Sequence, residues 1–171
     1  MSLISRLFRA PQREALDPLY RAIVAAGRDP AWYAQGGVPD TIDGRFDMIA
    51  ALTALVLLRL EREEAGREPS VLLTEMFVAD MDSSLREMGI GDYVVGKHVG
   101  RMMGALGGRL GALRQADSAE ALEMAVERNI FRGAPPSAEA VGWVAERLDG
   151  FRGALDATDL DALIAGALPT P

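Results

Sequence analysis

The chain has 171 residues, almost half of them apolar, which suits one globular domain with a real core and excludes a disordered chain. It contains no cysteine, so disulfides, thiolate metal sites and cysteine nucleophiles are ruled out. Net charge is −7, and residues 117–171 carry −6 of it, with ten acids against four arginines. Such a molecule repels phosphate backbones, so no nucleic-acid partner is expected.

Residues 3–9 place Leu3, Ile4, Leu7 and Phe8 on one helical arc with Arg6 and Arg9 opposite, and Pro11 should end that helix. Residues 1–11 read as an amphipathic membrane-surface or docking segment ahead of a helical domain over 12–171. The opening stretch is too short and polar for a signal peptide, and a cytoplasmic protein is expected. Asp17-Pro18 should open the next helix, and Pro30 a short one through "AWYAQ". "GGVPDTIDGRF" is a turn by composition, after which Thr41 or Asp43 caps a helix to about Ala65. Within it, the run 48–58, bounded by Asp47 and Arg59, is about 16 Å long as a helix, half of what a bilayer requires. It reads as a buried helix.

Pro69 restarts the helix, with Leu73, Phe77, Met81, Leu85 and Met88 at helical spacing, and Gly89 ends it. Asp92 caps a glycine-rich helix. Asp117 or Ser118 caps the next, and "GAPPS" breaks the chain. From Ser137, Val141, Val144, Leu148, Phe151 and Leu155 form one stripe, and Thr158 should cap a last helix. No run alternates with period two. The fold class is therefore all-α, a single compact helical domain of six to eight helices.

The glycine-rich helix carries Gly96, Gly100, Gly104, Gly107, Gly108 and Gly111, each costing about 1 kcal/mol against alanine. On a wheel with Gly96 at zero, the glycines span roughly 0–120°, and the apolar residues from Val95 to Leu113 roughly 240–340°. Lys97 and Arg101 lie on the far rim of the glycine arc, at about 100° and 140°. A side-chain-free channel thus runs between an apolar wall and two cations. Such a channel accepts a closely approaching polypeptide, either one of the protein's own helices or a client segment.

Reaction chemistry finds little support. His98 is the sole histidine, and one turn from Met102 it cannot form an axial haem pair. Asp43 with Asp47, and Asp80 with Asp82, could hold magnesium as in all-α enzymes that ionise diphosphates, but acids at a helix start also complement its dipole. Arg45 and Arg86 are expected to pair with these acids. No cofactor is expected.

Two blocks carry a resemblance: "WYAQGGVPDTIDGRFDMIAA" at 32–51 and "FVADMDSSLREMGIGDYVVGKHVGRMMGALGGRLGAL" at 77–113. They resemble the ubiquinol–cytochrome c reductase assembly chaperones, over about residues 15–115. The resemblance implies a helical, non-enzymatic chaperone that binds newly made cytochrome b during biogenesis of respiratory complex III. It implies work at the cytoplasmic face of the inner membrane, with room for a second assembly factor. Arg45, Phe46, Asp82, Arg86, Lys97, Gly100, Arg101 and Gly104 are the candidate partner-binding residues. Members of the family often have a histidine where this chain has Thr53, and an aromatic where it has Gly107. Met76, Met81, Met88, Met102 and Met103 would suit an adaptable client groove, as methionine also suits irregular cores. The alternatives are a helical interaction module, dimeric through the glycine face, and a magnesium-dependent enzyme.

Overall fold

In the computed structural model, the backbone is described for residues 3–87 and 92–171, and side chains for 13–81, 100 and 102–171. Eight α-helices occur among them: α1 (Leu3–Gly27), α2 (Pro30–Ala34), α3 (Ile42–Leu60), α4 (Arg67–Glu87), α5 (Asp92–Gln115), α6 (Ala119–Asn129), α7 (Ala138–Ala157) and α8 (Leu160–Ile164). A 3₁₀ turn at Glu64–Gly66 joins α3 to α4. The described residues contain no strand, as the absence of period-two alternation predicts.

The centre is α3. Its run from Met48 to Leu57 is buried on every side, which is how a helix without a polar face must sit. α1, α4, α5 and α7 pack around it, and α6 and α8 attach to α7 or α5 and to α1. Thr41 caps α3, its hydroxyl accepting from the Gly44 amide at 3.1 Å. Ser118, Ser137 and Asp159 cap α6, α7 and α8 in the same way. The predicted stripe on α7 is buried from Val141 to Leu155.

Several expectations need correction. Neither Pro11 nor Pro18 interrupts α1, which runs unbroken from Leu3 to Gly27. Proline removes one backbone bond, and the buried row Leu16, Leu19, Tyr20 and Ile23 holds the helix in place past Pro18. Gly166, at φ +99°, brings the chain after α8 against Pro18. α3 stops at Leu60 instead of near Ala65, because the turn there lets the chain reverse at Gly66, where a Cβ would lie 2.0 Å from the Leu60 carbonyl oxygen. Thr158 closes α7 and Asp159 opens α8, so the cap lies one residue later than expected.

Trp32 is fully buried, donates from Nε1 to the Ala26 carbonyl at 2.9 Å and meets Trp143 edge-on at 5.9 Å. The Arg147 guanidinium stands 4.9 Å from both rings, tying α2 to α7. At Gly44, in the first turn of α3, a Cβ would lie 2.0 Å from the Pro39 carbonyl oxygen, so that position admits only glycine. Gly44→Ala should therefore lower unfolding free energy by about 1–3 kcal/mol in urea denaturation, the usual cost of overpacking. An unchanged midpoint would contradict this packing.

Candidate functional site

α5 presents two sides of opposite character. Met102, Leu106 and Leu113 are buried on one side, where the apolar stripe predicted them. The same side carries an unpredicted buried charge, Arg109, 7% exposed. It reaches Asp47 on α3, a carboxylate only 1% exposed, in a close ion pair. Arg109 also donates to the Asn129 carbonyl at 2.7 Å and, from Nη1, to the Ala105 carbonyl at 3.0 Å. Arg132 completes the cluster, bonding Asp47 through Nε at 2.7 Å and Asp43 through Nη1 at 2.8 Å. Arg132 holds a left-handed φ of +56° to do so. Burial pushes the Asp47 carboxyl above its ordinary range, against the pull of both arginines, and lowers the Arg109 guanidinium. The Arg132 guanidinium is raised by its hydrogen bond to Asp47.

The other side of α5 is bare. A Cβ added at Gly100, Gly104, Gly107, Gly108 or Gly111 would meet nothing within 4 Å among the described residues. The four from Gly100 to Gly108 are exposed. Among the described residues, none of the protein's own helices fills this channel over residues 100–111. Beside it, α3, α4 and α5 frame a groove of about 180 Å³ bordered by Leu57, Val71, Thr74, Met103, Leu106 and Gly107. Val71 and Met103 are 50% and 43% exposed, unusual for large apolar side chains. Because Gly107 borders this groove and lies on the glycine arc, groove and bare face are continuous.

The predicted contact residues are not one patch of equivalent groups. Gly100 and Gly104 lie on the bare face. Phe46 is half-buried between Phe77, at 5.8 Å, and the Arg109 guanidinium, at 5.6 Å, so it braces the buried cluster from inside. Arg45 is exposed and pairs with Asp40 at 2.7 Å, not with Asp43 or Asp47 as expected. Asp40 is held below the usual carboxylate range by that hydrogen bond. The side chains of Asp82, Arg86, Lys97 and Arg101, with His98 and Met88, lie outside the described residues. Met76, Met81 and Met102 belong to the core, leaving Met103 as the groove methionine among those described. Thr53 is fully buried and donates to the Ile49 carbonyl at 2.7 Å.

For metal chemistry the described residues offer no cluster of three or more candidate ligands. Asp43 and Asp47 are taken up by arginines, and Asp80 accepts from the Tyr20 hydroxyl at 2.7 Å. Burial and that bond together raise the Tyr20 phenol strongly. No helix among the described residues is long and apolar enough to cross a membrane.

The fold and the site define an all-helical protein with one helix face that no described residue covers. Residues 34–170 match the family model for ubiquinol–cytochrome c chaperones, and the chain belongs to that family. Among solved structures it is similar to the crystal structure of the Cbp3 homolog from Brucella abortus, at 33% identity over 99% of this chain and 97% of that one, with a TM-score of 0.83. No curated protein matches significantly.

Removing one partner of a buried ion pair leaves the other charge stranded, at a cost of about 3–5 kcal/mol. Asp47→Ala should lose that much stability in urea denaturation, and Asp47→Asn less, because its amide oxygen still accepts. Equal, small losses in both would show that the cluster does not hold α5.

Proposed function

We propose that the protein binds newly made cytochrome b through the bare face of α5 and the adjoining groove, during assembly of respiratory complex III. One observation supports this reading: glycines that weaken their helix face open space among the described residues. A helix of the client, itself apolar, could approach the α5 backbone closely there, its side chains entering between Val71 and Met103. On this reading Lys97 and Arg101 meet polar groups of the client at the rim, and Arg45, Asp82 and Arg86 contribute at the ends of α3 and α4. Phe46 acts indirectly, by supporting Arg109. The role is binding, with no reaction, at the cytoplasmic face of the inner membrane, where unassembled cytochrome b is accessible.

The test separates folding from capture. Gly104→Ala should raise stability by about 0.5–1 kcal/mol, since the space is open and glycine alone weakens the helix. The double replacement Gly100→Leu and Gly104→Leu should leave the melting temperature unchanged or higher. It should sharply reduce cytochrome b recovered with the tagged protein from a respiring host. Undiminished recovery, or recovery of soluble partners alone from the unaltered protein, would overturn the proposal.

A further inference from the structure

α1 runs as one helix from Leu3 to Gly27, so a single register relates its first turns to its later ones. With Pro18 at zero and about 100° per residue, the buried Leu16, Leu19, Tyr20 and Ile23 span about 100–200°. These face the helices packed on α1, chiefly α3 and α4. The opposite sector, from about 300° through zero to 60°, holds Glu14, Ala15, Pro18, Arg21 and Ala25, all of them exposed. The chain after α8 touches Pro18 there without covering it.

Leu3, Ile4 and Leu7 fall in this second sector, at about 300°, 40° and 340°, and Phe8 between it and the buried row, at about 80°. The first two turns therefore carry their apolar positions mostly in line with the exposed sector, and not with the row that enters the core. Arg6, Arg9 and Arg13 fall across the helix from them, at about 180–240°. Residues 1–13 hold these three arginines and no acid, in a molecule of net charge −7. An apolar stripe left to water is unfavourable. Four apolar residues on two turns are also far short of the roughly 20–30 residues a side that a stable protein interface uses. They suffice at a bilayer surface, where the stripe enters the acyl boundary and anionic headgroups add their attraction for arginine.

We propose that residues 3–13 of α1 bind the surface of an anionic membrane. The helix lies along the interface with its stripe in the lipid, and the arginines reach the headgroup phosphates on their long stems. The later turns of the same helix, fixed in the core at Leu16 to Ile23, hold the domain beside the bilayer. This goes beyond the reading of the α5 face and does not depend on it.

Co-sedimentation of the full chain with vesicles of phosphatidylcholine, with and without phosphatidylglycerol, tests it. The expected result is partition roughly tenfold or more stronger onto the vesicles containing phosphatidylglycerol, reduced by added salt. The double replacement Leu7→Ser and Phe8→Ser should weaken that partition roughly tenfold or more, and Arg6→Gln with Arg9→Gln severalfold. Arg128→Gln, at an exposed arginine of α6, should leave it unchanged. Circular dichroism checks folding, and the arginine pair decides if the serine pair does not fold. No partition, equal partition onto both kinds of vesicle, or unchanged partition in whichever pair folds would overturn the proposal. So would a dimer in light scattering that the serine pair dissolves, since the stripe would then belong to a second copy. No client enters the measurement, so its failure leaves the reading of the α5 face standing.

Discussion

The buried carboxylate of Asp47 sets the arrangement on which the rest depends. It lies at the start of the central helix, shut off from water, and two guanidiniums from distant parts of the chain close on it. A carboxylate in such a place must be paired. Arg109 can supply that pairing only if one particular side of α5 faces α3, and Arg132 only if the chain after α6 bends through a left-handed residue. The ion pairs add little net stability against their desolvation. Their effect is selective, because any other rotation of α5 strands Asp47.

Fixing one side of α5 inward fixes the glycine side outward. The five described glycines together give up about 5 kcal/mol of helix propensity relative to alanine. Nothing among the described residues packs closely enough on them to recover it. Local choices that work against stability without an internal gain tend to mark functional surfaces. Here the choice keeps a strip of backbone accessible, next to a groove with an exposed valine and methionine. On the proposed reading, the client supplies the close packing that the free protein lacks. Membership of a chaperone family accords with a surface completed by another molecule.

Much of the fold was legible because it rests on local rules. The caps at Thr41, Ser118 and Ser137, and the stripe from Val141 to Leu155, are local features of the sequence. The division of α5 into an apolar and a glycine side was also visible. Where reading failed, a tertiary contact had overridden the local rule. The buried row from Leu16 to Ile23 carries α1 past Pro18. The Asp47 cluster was missed because its members are 62 and 85 residues apart, beyond any periodic signal. A trace existed all the same. Asp47 and Arg59 bound a run that is apolar but for Thr53, and Arg109 falls at about 220° on the wheel, at the margin of the apolar stripe. Phe46, a candidate contact residue by its motif, stands half-buried with the Arg109 guanidinium over its ring.

The most direct test of the central claim, that the bare side of α5 receives the client, is a photo-crosslinker placed at position 104 during synthesis of cytochrome b. The account predicts a covalent adduct with cytochrome b from position 104, and none from position 120, at the exposed start of α6. Adducts from position 120 alone, or from neither position while cytochrome b still co-purifies, would contradict it.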